Sequence, residues 1–118
     1  MDLKQLNTAL QRIVEVRAEL KKIDYNNPTY DDLEEKLHDL EDDFQEKYGE
    51  YLESVLQQVH DTHCPDNDVL LPIAYLGEGI PVDVEKLPGK EVRLALSASP
   101  LRILLKLKDK FQVVWEGK

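Results

Sequence analysis

The sequence predicts an α+β fold, in which an N-terminal antiparallel helical hairpin packs the longer of its two helices on a small, mainly antiparallel β-sheet. Apolar residues recur at steps of three and four up to residue 63, and at steps of two beyond residue 90. Turn-forming residues at 24–28 separate two helical patterns. We interpret residues 1–118 as one domain, with the hairpin in residues 1–64 and a β-rich half in residues 65–118.

The first helix is predicted from Asp2 to Ile23. Its apolar residues follow the heptad spacing of a coiled coil, which places them in a seam facing one partner helix. Because the connector is short, the two helices must run antiparallel. The seam residues are Leu3, Leu6, Leu10, Ile13 and Leu20, with Arg17 in the one charged seam position.

The second helix is predicted from Thr29 to His63. Thr29 is a candidate N-cap, and Asp32 completes an acidic variant of the capping box. At about 1.5 Å per residue, the first helix covers the second only as far as about residue 51. Beyond that point the apolar stripe continues and widens. This overhang therefore has to be covered by the β-rich half; its apolar residues are Leu52, Val55, Leu56 and Val59.

The β-rich half contains several short strand patterns. Residues 69–76 are apolar around Pro72, which favours an edge strand or a bulge. Residues 80–84 form a further short strand pattern between turns at residues 77–79 and at Pro88-Gly89. Two half-buried strands follow from alternation: Val92, Leu94 and Leu96 in one, and Phe111, Val113 and Trp115 in the other.

The segment Pro100–Lys108 is compatible with two structures. As a strand, it places four apolar residues on one face and leads through a tight turn at residues 108–110 into the last strand. As a helix, it has Ser99 as N-cap and Pro100 at the first position. The strict alternation favours the strand.

Composition and charge restrict the class of protein. The chain is 33% charged and 42% apolar with a net charge of −9, and no apolar run approaches a membrane span. Residues 1–68 hold 18 acids and 7 bases, whereas residues 69–118 hold 6 acids and 8 bases. The acidic half argues against nucleic acid as a direct ligand. One cysteine, and no signal-peptide pattern at the N-terminus, indicate a cytoplasmic protein.

One cluster has residue types that bind metals. His60 and His63 share a helix face, and Cys64 and Asp66 follow at once, so that four ligands for zinc are close in sequence. The spacing matches no standard zinc motif. In the alternative interpretation, the two imidazoles interact favourably with the negative C-terminal end of the helix dipole, and Cys64 fills a gap in the core. A metal-binding protein or a small metal-dependent enzyme is one functional alternative.

The long helix carries many acids on its exposed positions. We select Asp39, Asp42, Asp43 and Glu46 as candidate partner-binding residues, because an unbroken acidic surface attracts a basic protein. A solvated helix face without a partner is the other interpretation. The function we favour is a non-catalytic protein–protein interaction module. Self-association, through an exposed edge strand or head to tail between the oppositely charged halves, is a second mode.

The layout of an acidic antiparallel hairpin followed by a small β-rich domain resembles the bacterial transcript-cleavage factors that enter RNA polymerase. The residues that echo a motif of that family are Ser99-Pro100-Leu101, Leu104-Leu105 and Lys108-Asp109. The resemblance implies RNA polymerase as an alternative partner and a helix over residues 100–107. The Asn/Glu-rich hairpin tip of the family is absent from this sequence.

Overall fold

The structure is a computed structural model that describes residues 1–84, 86 and 89–117. Two helices are followed by four strands that form one antiparallel sheet in the order β1-β2-β3-β4. The predicted α+β fold class is thus confirmed. The elements are α1 (Leu3–Lys21), α2 (Tyr30–His63), a 3-10 helix (Pro72–Tyr75), β1 (Ile80–Val82), β2 (Val92–Ser97), β3 (Arg102–Lys106) and β4 (Phe111–Glu116).

The two helices begin in different ways. Asp2 caps α1, since its Oδ1 accepts hydrogen bonds from the backbone N–H groups of Lys4 and Gln5 at 3.0 and 3.1 Å. The capping box predicted at Thr29 is wrong. Thr29 has helical backbone angles and makes no side-chain cap. Asn27 Oδ1 accepts from the Thr29 backbone N–H at 2.9 Å and from its hydroxyl at 2.8 Å, so Asn27 takes the N–H that the acidic residue of a capping box would bond.

The hairpin seam is buried along α1 and the first half of α2. Arg17, in the predicted charged position of the seam, lies with its Nη2 3.2 Å from Glu41 of α2. The same guanidinium donates to the carbonyl of Ile73 at 3.5 Å. Arg17 therefore links both helices to the segment that follows them. The buried seam residues are Leu6, Leu10, Ile13 and Val16 of α1 and Leu37 and Phe44 of α2.

The second half of α2 is covered as the length mismatch predicts. Leu52 and Leu56 are fully buried, and Val55 and Val59 are only 7% and 6% exposed. They belong to the same buried cluster as the inward residues of the sheet. The overhang is therefore part of a core shared by the hairpin and the β-rich half. The inward sheet residues of that core are Val82, Val92, Leu94, Leu96, Ile103 and Leu105.

The strand predicted around Pro72 is wrong. Pro72–Tyr75 is a 3-10 helix with the proline in its first turn, where the missing N–H is not needed. Leu76 reaches the sheet through an isolated parallel bridge to Leu96. The next strand is shorter than predicted and ends at Val82. Of the turn predicted at Pro88-Gly89, Pro88 lies outside the described residues.

The segment after Ser99 is a strand, β3, and the helical alternative is wrong. Ser99 and Pro100 form the turn between β2 and β3, with Ser99 at a left-handed φ of 50°. The amide of Asn7 in α1 fixes this turn: its Oδ1 accepts from Ser99 N–H at 2.7 Å, and its Nδ2 donates to Ser99 Oγ at 3.2 Å. The helix that the transcript-cleavage-factor resemblance implies is therefore absent at these residues.

The face of β4 differs from the predicted one. Leu104 pairs with Val113 and Ile103 pairs with Trp115, so Val114 is an extra residue in a β-bulge. Opposed residues share a face of the sheet, which places Trp115 beside buried Ile103 on the inner face and Val113 beside Leu104 on the outer face. Phe111 and Val113 are 60% and 37% exposed. The predicted inward orientation of these two residues is wrong, because the bulge reverses the alternation.

Candidate functional sites

The first candidate site lies at the C-terminal end of α2 and is centred on His60. Its imidazole is 1% exposed. Nδ1 lies 2.9 Å from the carbonyl oxygen of Asn67, and Nε2 lies 2.9 Å from the hydroxyl of Tyr75. Because a carbonyl oxygen only accepts, Nδ1 carries a proton and donates a hydrogen bond to the Asn67 carbonyl. Nε2 then accepts a hydrogen bond from the Tyr75 hydroxyl.

Two further hydrogen bonds extend this network into the loops. The Tyr75 hydroxyl accepts from Leu70 N–H at 2.9 Å, and the Asn67 side chain accepts from Asp83 N–H at 2.8 Å. Burial raises the pKa of Tyr75, and the hydrogen bond from Leu70 opposes that rise. The phenol therefore keeps its proton at neutral pH and donates a hydrogen bond to His60. Both ring nitrogens of His60 are occupied within the protein, which makes the imidazole a structural connector.

The predicted zinc ligands are not brought together. Within residues 1–84, 86 and 89–117, no group of three or more His, Cys, Asp or Glu side chains is placed to hold a metal ion. His60 and Cys64 are buried, whereas His63 is half-buried and Asp66 is exposed. A metal at Nε2 of His60 would also have to displace the Tyr75 hydroxyl. The geometry of the described residues therefore gives no support to the zinc alternative.

Cys64 is an inert core thiol in this geometry. It is fully buried, and burial raises its pKa above the ordinary 9.0, with a smaller contribution from the Asp83 carboxylate. The thiolate, which is the nucleophile, is thereby disfavoured. The interpretation of Cys64 as a gap-filling residue fits this environment.

This burial predicts slow thiol chemistry. At pH 8 the folded protein should react with an aromatic disulfide reagent at least about a hundredfold more slowly than the unfolded chain, since reaction requires opening of the core. An exposed cysteine, introduced as Thr62→Cys in a Cys64→Ala background, should react at the unfolded rate. Above pH 9.0 the unfolded thiol ionises while the folded one keeps its proton, so the free energy of unfolding should fall as pH rises. Rapid reaction of folded wild-type protein would contradict the burial.

The second candidate site is the acidic face of α2, which we define by six residues that are all exposed. Asp32, Glu35, Asp39, Asp42 and Glu46 recur at steps of three and four, and Asp43 lies four residues after Asp39 and three before Glu46, so the six form one strip along the helix. Lys47 makes an ion pair within the strip, 3.1 Å from Asp43, and that hydrogen-bonded carboxylate raises the pKa of Lys47. The strip includes all four predicted partner-binding residues. Its members are Asp32, Glu35, Asp39, Asp42, Asp43 and Glu46.

A shallow groove of about 450 Å³ lies on this face. Half-buried Leu40 contributes an apolar surface to it, and the carboxylates of Asp32, Glu35, Asp39 and Asp43 surround it together with Lys36. An apolar surface ringed by acids suits a long basic side chain, whose aliphatic stem packs while its charge meets a carboxylate. The groove therefore adds shape to the charge of the acidic face.

The third candidate surface is the outer face of the sheet. Arg93 pairs directly with Lys106 across β2 and β3, and Arg102 lies on the same side, further along β3. Phe111 and Val113 add apolar surface at its β4 edge. No sequence signal marks this exposed pair, because the bulge that turns it outward depends on the register with β3.

A larger cleft of about 850 Å³ opens between the end of the hairpin and the turn at residues 77–79. Val14 and exposed Tyr25 line it, but its guanidinium, Arg17, is already engaged by Glu41 and Ile73. A catalytic cleft needs titratable groups that converge on a substrate. Its other charged lining residues are Lys21, Asp24 and Glu78, and no ion pair is found among these three.

Comparisons with known proteins add no functional class. No protein-family model matches the chain, and no match is found among curated proteins or among solved structures. Neither helix of the described chain has the length and apolar character needed to cross a bilayer.

Proposed function

We propose that the protein is a non-catalytic interaction module that docks a basic segment of another protein on the acidic face of α2. The observation that carries this proposal is the groove beside Leu40, since it combines an apolar contact with a ring of carboxylates. A solvated helix face needs charge alone, whereas a docking surface also needs a place for the partner to bury atoms.

The charges along the strip support the same proposal. Six carboxylates face solvent there, and Lys36 and Lys47 lie among them. A basic segment whose Lys or Arg residues recur at steps of three and four would place one cation near each turn of the strip. Association of this kind is steered by charge and weakens with salt, because screening acts within about 8 Å at physiological ionic strength.

The two buried reactive side chains, His60 and Cys64, support a non-catalytic role. His60 uses both ring nitrogens internally, and the pKa of the buried Cys64 thiol is raised. A lone reduced thiol fits a reducing compartment, so we place the protein and its basic partner in the cytoplasm.

Charge reversal tests the acidic face. A helical peptide with lysines at steps of three and four serves as the probe, titrated calorimetrically at low salt. The triple variant Asp39→Lys, Asp42→Lys and Asp43→Lys should weaken binding at least about tenfold, because each exposed ion pair contributes up to about 1 kcal/mol and reversal adds repulsion. Folding should persist, since all three residues are exposed.

The matched control changes net charge equally at another place. Asp66→Lys, Asp68→Lys and Glu78→Lys alter three exposed acids outside α2. This control should retain the wild-type affinity for the peptide. Equal loss in both triple variants would mean that the peptide senses net charge only, and unchanged binding in the first variant would remove the acidic face as the docking surface.

A further inference from the structure

The outer face of the sheet carries a row of side chains that crosses three strands. Arg93 of β2 is paired with Lys106 of β3, and Lys106 is paired with Phe111 of β4. Opposed residues of neighbouring strands lie on the same face of a sheet. The two helices share their core with the residues of the inner face, and Phe111 is 60% exposed on the outer one. The row therefore places two cations next to an exposed aromatic ring.

A pocket of about 440 Å³ lies at the basic end of this row. Arg93, Lys106 and the exposed Lys108 line it. Glu78 and Glu91 also line it, so the cations outnumber the acids by three to two. The pocket is therefore a basic site in a chain whose net charge is −9.

The cations of the pocket keep hydrogen-bond donors beyond those that the protein uses. Lys106 Nζ donates to the carbonyl of Gly77 at 3.0 Å, which takes one of the three donors of an ammonium group. The contacts of the Arg93 guanidinium are long, 3.5 Å to the carbonyl of Gly79 and 3.8 Å to the carboxylate of Glu91. Both side chains can therefore donate to an added oxyanion.

From this row we infer that the outer face of the sheet binds single-stranded nucleic acid. Phosphate oxygens accept hydrogen bonds from Arg93, Lys106 and Lys108, and a base stacks on the ring of Phe111. Proteins that bind single strands without sequence preference combine these two elements, a basic groove and an aromatic platform. An acidic protein segment would match the cations but would make no use of the exposed ring beside them, so the ring selects nucleic acid as the occupant.

The acidity of the chain lies mainly outside this face. Residues 1–68 hold 18 acids and 7 bases, whereas residues 69–118, which contain the sheet, hold 6 acids and 8 bases. The acidity that argues against nucleic acid therefore belongs to the hairpin, and screening within about 8 Å at physiological ionic strength limits its repulsion of a strand at the sheet. Phe111 joins the cations only through the register of β4 with β3, which periodicity does not encode.

Fluorescence anisotropy of a labelled oligouridine at low salt tests the aromatic platform. Wild-type protein should bind the probe, and Phe111→Ala should weaken binding at least about fivefold, because it removes the ring on which a base stacks. Phe111→Trp should retain the affinity, and its fluorescence should be quenched as the probe binds. Tyr25→Ala is the matched control: Tyr25 is a 78% exposed aromatic residue outside the sheet, and its replacement should leave the affinity unchanged.

The salt dependence of the same binding tests the phosphate contacts. The logarithm of the association constant should fall with the logarithm of the salt concentration with a slope of about −2, as expected when three cations neutralise phosphates of a single strand. Lys106→Gln with Lys108→Gln should weaken binding at low salt and bring the slope to about −0.7. The control pair Lys4→Gln and Lys22→Gln removes two exposed lysines outside the sheet and should keep the wild-type slope.

Several outcomes would overturn the inference. They are an absence of binding at millimolar protein, a salt slope near zero, and equal losses in the variants and their controls. Tighter binding of polyglutamate than of oligouridine, with no effect of Phe111→Ala, would instead assign the face to an acidic protein segment. The triple reversal of Asp39, Asp42 and Asp43 should not weaken oligouridine binding, because these residues lie on α2. The inference and the proposed docking function can therefore fail separately.

Discussion

Leu56→Ala should lower the free energy of unfolding by about 2–5 kcal/mol, as expected for a leucine removed from a close-packed core. Leu56 lies in the part of α2 that α1 cannot reach, and it is fully buried in the cluster shared with the sheet. The substitution therefore tests whether the β-rich half covers the overhang. Urea unfolding followed by far-UV circular dichroism measures the change.

Val14→Ala provides the comparison for this prediction. Val14 is 36% exposed on α1, so its truncation should cost less than about 1 kcal/mol. A Leu56→Ala variant no less stable than Val14→Ala would show that the second half of α2 is not covered in solution.

His60→Ala should cost about 3 kcal/mol of unfolding free energy. The substitution empties a fully enclosed site and leaves the Asn67 carbonyl and the Tyr75 hydroxyl without their partner. Tyr75→Phe should cost about 1–3 kcal/mol, because Leu70 N–H and His60 Nε2 lose their hydrogen bonds. The double variant should be less destabilised than the sum, since the two residues share one network.

His63→Ala separates this structural role from metal binding. His63 is half-buried and lies one helical turn beyond His60, so its truncation should cost less than about 1 kcal/mol. If the two histidines acted as joint ligands of a bound metal, both variants would lose similar stability and chelator would reproduce the loss. Equal destabilisation by the two substitutions would contradict the connector role of His60.

Much of the fold follows from periodicity and length. The spacing of apolar residues specifies the seam of α1, the overhang of α2 and the strand over Arg102–Lys106. Tertiary contacts do not override these three elements. The length of each helix also follows from the pattern, so the difference in length between α1 and α2 can be calculated from the amino-acid sequence and the helical rise.

The features that sequence reasoning missed depend on contacts that periodicity does not encode. Asn27 takes the Thr29 N–H that a capping box would use, in a local competition between two hydrogen-bonding arrangements. The extra residue at Val114 depends on the pairing with β3, and it reverses the face of Phe111. Tyr75 meets His60 only because the 3-10 helix at Pro72–Tyr75 folds back on α2.

The same distinction applies to the candidate sites. The acidic face was predictable because exposed helical positions follow from the 3.6-residue period, and its residues are all exposed. The zinc hypothesis depended on nearness in sequence, but His60 turns into the core toward Tyr75 while Asp66 faces solvent. Residues adjacent along a chain diverge when a helix ends between them.

The most direct test of the docking proposal is the site at which a basic peptide binds. Amide chemical shifts of labelled protein, recorded during titration with the lysine-bearing helical peptide, should change along the exposed strip from Asp32 to Glu46 and around Leu40, with little change at the sheet. Shifts confined to other surfaces, or none at peptide concentrations in the millimolar range where even weak complexes form, would contradict the proposal that the acidic face of α2 binds a partner.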